Sequence, residues 1–285
     1  MFGRVIFAPP AAGPGPRTNA RRHAQLFVLG LIVTSLAGTV LLTSPWVTRS
    51  GQRTPVVDAF FTSVSAATFT GLSVVDSLEH WNRWGQVILL ALIQIGGLGF
   101  TVGASVLLQM LRRGIGAYTL RDELLLKDGA PALSIQEAVF LAGRIVRFTI
   151  VAEITGAMVL TVWFVSAAGM PPRDAVWNGL FYAIAAFCNA GFDITGGFQS
   201  IRPVATDVWV NFVLIVLIQL GALSYVVFAD IGRARSWRPL ALDTKIVLSL
   251  NGVLLGIGTI VFLAAEWGGA LAGYATESKL LASHF

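Results

Sequence analysis

The chain has 285 residues, of which 55% are hydrophobic and only 12% charged, far below the roughly 25% charged expected of a soluble domain. Its single cysteine, Cys188, excludes an intrachain disulfide and a cysteine-rich metal site, and His23, His80 and His284 are scattered without metal-ligand spacing. No nucleophile elbow and no HExxH string occurs, and Gly97-Leu98-Gly99 falls inside an apolar run, which argues against a dinucleotide fingerprint. Nothing here reads as an enzyme.

In chain order, residues 1–21 are rich in proline and glycine and read as a disordered cytoplasmic tail rather than a cleaved signal. Five apolar stretches, 25–45, 84–110, 138–167, 207–230 and 244–266, are long enough to cross a bilayer. Two shorter ones, 57–69 and 175–188, are not, and read as re-entrant segments, where irregular backbone must be buried in protein or line water. Basic residues set the orientation. One set of loops holds Arg4, Arg17, Arg21, Arg22, Arg112, Arg113, Arg121, Lys127, Arg233, Arg235, Arg238 and Lys245. The opposite set holds Arg49, Arg53, Arg83, Arg173, Arg202 and Lys279. The positive-inside rule then puts the N-terminus in the cytoplasm of a multi-pass cell-membrane protein. The net charge of +5 is accounted for by those loops and requires no nucleic acid.

The chain repeats itself. Each short segment ends in a glycine turn, Thr70-Gly71-Leu72-Ser73 in the first copy and Asn189-Ala190-Gly191-Phe192 in the second. Each turn is followed by a long apolar stretch with nearly the same words, Leu92-Ile93-Gln94-Ile95-Gly96-Gly97-Leu98-Gly99-Phe100 and Leu217-Ile218-Gln219-Leu220-Gly221-Ala222-Leu223-Ser224-Tyr225. Internal repeats of this kind are how membrane proteins assemble a pathway. The expected fold is all-α and polytopic, built of helix–pore-helix–helix units and potassium-channel-like. Its expected parts are a first unit at 22–112, a cytoplasmic loop at 113–134, a second unit at 135–232, a cytoplasmic loop at 233–243, and the opening of a third unit at 244–285.

A cation crossing a bilayer needs its hydration shell replaced, and consecutive backbone carbonyls can do this. Glycine reaches the required backbone angles at no steric cost, so Gly71 and Gly191 are the candidate filter positions. Asp58 and Asp174 open the short segments, where an acid suits a helix N-terminus. Asp76 and Asp193 follow the turns and are expected at the outer mouth, although each alone could be a solvated loop acid. Gly96, Gly97, Gly99 and Gly221 read as pore lining or as close helix packing, with Gly99 and Gly103 fitting a small-xxx-small pattern. Glu153 lies deep in the third span, where an acid is costly. Nearby Gly156 and Arg147 suggest helix packing or an ion pair for it. Cys188 is expected to be a small buried residue behind the second turn, and Ser134-Ile135-Gln136-Glu137 a capping box opening that span.

These strings resemble the Trk/Ktr/HKT superfamily of potassium transporters, above all the bacterial Ktr-type membrane subunit. The first filter motif is matched by Thr70-Gly71-Leu72-Ser73-Val74-Val75-Asp76 and the second by Phe187-Cys188-Asn189-Ala190-Gly191-Phe192-Asp193. The helix after the first filter is matched from Trp84-Gly85-Gln86 to Thr101. The resemblance implies potassium as the transported ion, bound by filter carbonyls around Gly71 and Gly191, and sodium as a candidate coupling ion. It also implies a homodimer in membrane lipid, gated by a separate cytoplasmic nucleotide-binding ring. The family's pore has four repeats, whereas this sequence holds two and the start of a third, so it is expected to be a fragment. A non-conducting membrane scaffold or regulatory subunit derived from such a transporter is the alternative. In the second copy, Ala222, Ser224 and Tyr225 replace the glycine and phenylalanine positions of the first, which opens the question of how closely that helix packs.

Overall fold

The structure is a computed structural model that describes residues 16–115, 135–275, 279–280 and 282–283. The expected tail at 1–21 and loop at 113–134, the capping box from Ser134, and the third short segment near the C-terminus lie wholly or largely outside these residues. Among the described residues eight α-helices with defined bounds follow one another: α1 (Pro16–Leu42), α2 (Val56–Ala67), α3 (Arg83–Ile115), α4 (Ile135–Ser166), α5 (Pro172–Phe187), α6 (Val208–Ala222), α7 (Tyr225–Ala234) and α8 (Leu242–Glu266). Apart from one bridge pairing Thr48 with Trp81, the described residues contain no β structure. The protein is an all-α membrane protein, with stretches of membrane-crossing length in α3, α4 and α8.

The two short helices begin alike. A proline caps each, Pro55 for α2 and Pro171 for α5, and an acid sits in each first turn, Asp58 and Asp174. A proline at the start removes no helical hydrogen bond, and the acid favours the positive end of the helix dipole. α2 returns against α1 through small groups. The Ser63 hydroxyl donates to the Ser35 carbonyl at 2.7 Å, and a Cβ on Gly38 would run into Ser63 and Leu92. α5 lies equally close to α4, with Gly179 against the Ala157 carbonyl and the Thr161 side chain. Where helices meet lipid on one side, close packing of small residues substitutes for the hydrophobic drive that lipid removes.

Two buried clusters follow. The first joins the copies: Leu42, Val47, Trp81, Leu89 and Ile93 pack with Phe181, Ala190, Phe192 and Ile194. The second lies within the later copy, where Leu160 and Phe164 of α4 meet Phe187 of α5 and Val210, Leu214 and Leu217 of α6. Outward faces remain apolar, as on α8 with Leu250, Leu254 and Ile260 exposed, which is the pattern of a lipid-facing surface.

One expectation is overturned. The stretch 207–230 is not a single straight span, because α6 and α7 meet at 97° across a short break. Leu223 is extended, and Ser224 caps α7 with its side chain accepting from the Val226 N–H. A serine is a better N-cap than helix interior. The corresponding Gly99 of the first copy continues within α3.

Candidate functional site: two facing glycine turns

Both short helices end in the same way. α2 stops at Ala67, Phe69 takes a left-handed conformation (φ 54°), and the Thr70 N–H reaches back to the Ser65 carbonyl at 3.0 Å. α5 stops at Phe187, Asn189 is left-handed (φ 55°), and the Ala190 N–H reaches the Ala185 carbonyl at 2.8 Å. Asn189 completes the Schellman pattern through its own N–H to the Ala186 carbonyl. Asparagine is a usual residue there; phenylalanine is not, and the left-handed region costs such a residue about 1–2 kcal/mol. Nothing in the sequence marks Phe69 for that conformation. The ring compensates by packing against Phe100, with centroids 6.0 Å apart.

Two residues on, each chain turns left-handed again, at Gly71 (φ 74°) and Gly191 (φ 71°), while Thr70 and Ala190 between them do not. The glycines face one another. A Cβ on Gly71 would lie 2.9 Å from the Ala190 carbonyl oxygen and 3.0 Å from the Gly191 Cα, and one on Gly191 would lie 3.0 Å from the Gly71 Cα. No side chain fits, so two backbones meet directly. Around them Thr70, Leu72 and Gly191 are exposed, Gly71 and Ser73 partly so, and Ala190 and Phe192 are buried.

The long helices are built to touch the bases of these turns. A Cβ on Gly96 of α3 would strike the Ala67 carbonyl, and one on Gly221 of α6 would strike the Phe187 carbonyl, the last helical residue in each case. Gly97 makes room for the Cys188 sulfur, at 2.7 Å from its would-be Cβ. Gly99 has nothing within 4 Å and Gly103 makes only ordinary contact with Phe27, so the expected small-xxx-small pair is not a packing seam here. The close packing sits at Gly96 and Gly97 instead. Gly221 packs just as closely despite the altered residues that follow it.

Beneath the turns lies a cavity of about 280 Å³, lined among others by Phe69, Leu98, Thr101, Thr149, Asn189 and Ser224. The break between α6 and α7 borders it, which is where non-helical backbone is tolerated at membrane depth. On the opposite side the two acids behave differently. Asp76 is buried, and its carboxylate accepts from the N–H groups of Leu78, Glu79 and, from the other copy, Phe198. It clamps the two post-turn loops together rather than standing free at a mouth. Asp193 is partly buried and accepts from the Thr195 N–H at 3.0 Å. Two more links join the copies here: an Arg83–Asp174 ion pair, and the Trp177 indole donating to the fully buried Gln86. Glu153 meets Gln94 and Cys188, not Arg147. Among the described residues no group of three or more histidine, cysteine or acidic side chains could hold a metal ion.

Residues 13–268 match the family model TrkH, described as a cation transport protein. The potassium/sodium uptake protein NtpJ of Enterococcus hirae is 34% identical over 92% of this chain and 56% of its own length. The Ktr system potassium uptake protein B is 31% identical in Bacillus subtilis, over 92% of this chain and 57% of the relative, and 34% identical in Vibrio alginolyticus, over 88% and 54%. The chain thus spans about half the length of these curated relatives.

Proposed function

The chain belongs to the TrkH cation transport protein family, and on that premise we propose that it serves potassium uptake across the cytoplasmic membrane through a carbonyl-lined filter. The observation that carries this is the meeting of Gly71 and Gly191, two turns of matching conformation set backbone to backbone. Glycine lets the backbone turn left-handed at Gly71 and Gly191 without steric cost, and a ring of backbone carbonyls replaces water around a potassium-sized cation. The filter is assigned to Thr70–Ser73 and Asn189–Phe192, within units 22–112 and 135–232. Each short helix aims its C-terminal, partially negative end at its turn, which favours a cation. Asp193 stands nearest the entry, while Asp76 holds the entry loops in place. The cavity beneath the turns is the way out.

In this reading the N-terminus is cytoplasmic, the turns face outward, and sodium is a candidate coupling ion, as the name of the Enterococcus relative supports. Relatives named as parts of a Ktr system support a further component. We put it as a separate cytoplasmic nucleotide-binding ring acting on a homodimer. The function is transport, not catalysis.

The test is rubidium uptake in potassium-uptake-deficient cells, with the natural reading frame compared against Gly71→Ser and Gly191→Ser. A Cβ at either glycine must push the two backbones apart, so both variants should lose uptake at equal membrane expression. Full flux in both would sink the filter reading. A well-expressed wild type without flux would favour a non-conducting scaffold.

A further inference from the structure

We propose that Glu153 is a positioning residue for the second turn, acting through Cys188 and Gln94 to hold that turn; the inference rests on the transport reading above. Glu153 is on α4 and only 6% exposed. Its Oε2 accepts from the Gln94 side chain of α3 at 3.1 Å, and the Cys188 thiol lies 3.8 Å from its Oε1 and 3.9 Å from the Gln94 Oε1. Cys188 is the C-cap of α5, immediately before left-handed Asn189, and Gly191 is three residues on. One side chain therefore separates the carboxylate from the backbone of the turn. Gly97 leaves the space in which that thiol sits, so the contact is wedged from both sides.

Among the described residues no lysine or arginine pairs with Glu153. A carboxylate has about four acceptor sites, and here one amide and one weak thiol donor face it. An intramembrane acid so thinly compensated calls for a function.

The internal repeat separates a functional acid from a structural one. Gln94 and Gln219 occupy the same place in the two Leu-Ile-Gln strings. Gln94 of α3 reaches forward to α4, the first helix of the next unit. Gln219 of α6 likewise meets Asn251 of α8, whose side-chain amide donates to it at 2.6 Å. Both seams thus join a glutamine to a polar residue on the first helix of the next unit. Asn251 shows that a neutral amide suffices for the join. Ser35, in the same setting one unit earlier (Ser35-Leu36-Ala37-Gly38 against Glu153-Ile154-Thr155-Gly156), is also neutral. Of these three positions, the acid stands at the one that Cys188 connects to a glycine turn.

The experiment measures rubidium uptake kinetics and sodium competition for wild type, Glu153→Gln, Glu153→Asp and Cys188→Ala, in the natural reading frame, at matched membrane levels. Glu153→Gln keeps the shape but puts an amide N–H where one carboxyl oxygen faces the Gln94 amide or the Cys188 thiol. Its KM for rubidium should rise by about tenfold, the scale seen when an outer-shell partner of an ion site is lost, with maximal rate little changed. Glu153→Asp should recover part of the affinity, and Cys188→Ala should shift KM in the same direction as Glu153→Gln. An unchanged KM in Glu153→Gln would overturn the proposal and leave the acid as a seam residue like Asn251. Should Glu153→Gln fail to reach the membrane, Cys188→Ala decides: wild-type KM there overturns the proposal. Wild-type flux that Gly71→Ser abolishes, measured alongside, separates this failure from failure of the transport reading, which would sink both.

Discussion

Gly96 and Gly221 hold equivalent places in two long helices, and each lets the last carbonyl of a short helix lie against its backbone. Gly99 sits three residues from Gly96, inside the same helix, and faces open space. The pair makes a prediction. Gly221→Ala must displace the Phe187 carbonyl and should cost about 1–3 kcal/mol, the range for overpacking a filled site. Gly99→Ala should be neutral or stabilise by roughly 0.5–1 kcal/mol, because alanine is the better helix former. Thermal unfolding of the detergent-purified protein checks both, and equal effects would refute the assignment. The sequence marked all these glycines as packing candidates but could not rank them. Which one touches a neighbour depends on how α3 and α6 are rotated, and that is settled by partners distant in the chain. The two turn glycines, Gly71 and Gly191, were legible because a positive φ after a helix is a local demand that a local residue meets.

At the scale of elements, the loops following the two turns are held by bonds of unequal worth. Asp76 is buried and accepts three backbone N–H groups, whereas Arg83 and Asp174 are each about half exposed, at 48% and 49%. Asp76→Asn places an amide N–H opposite a backbone donor and should cost about 1.5–3 kcal/mol. Arg83→Gln should cost about 0–1 kcal/mol and less in high salt. Thermal unfolding at two ionic strengths distinguishes them, and a larger loss for Arg83→Gln would count against the clamp. His80 adds a pH dependence in the same loop region. Its ring is bonded to the Thr54 hydroxyl at 2.8 Å, and burial pushes its pKa below the usual value, against a smaller opposing pull from Asp58. The unfolded chain then binds the proton more readily than the folded one, so stability is full above about pH 6.5 and falls as pH drops below it. His80→Gln should flatten that acid-side slope of thermal stability; an unchanged slope would show that another group is responsible. None of these ties is visible in the sequence, since Asp76 and Phe198 are 122 residues apart. The break after Ala222 was partly visible. Ser224 is a capping residue, but the surrounding apolar run favours one continuous span, and hydropathy alone cannot tell a bend from a crossing.

At the scale of the molecule, the order of long and short helices was legible except at the break after Ala222, because membrane-length apolar runs and glycine turns are written locally. The partners of Glu153 were not, since they come from α3 and α5. The proposed orientation makes its own prediction. On a Cys188→Ser background, a cysteine at Ser200 should react with an impermeant maleimide in intact cells, and one at Arg238 only after permeabilisation. The opposite pattern would invert the assignment of the loops. The two turns share a backbone but not a sequence: two residues past each glycine stand Ser73 in one and Asp193 in the other, and five past stand Asp76 and Gly196. Had the proposed filter been assembled from identical subunits, any change beside it would recur at every position around its axis. A duplicated gene removes that constraint. Each copy can drift alone, so an acid, a hydroxyl or a clamp can be added on one side of the proposed ion path without being imposed on the others.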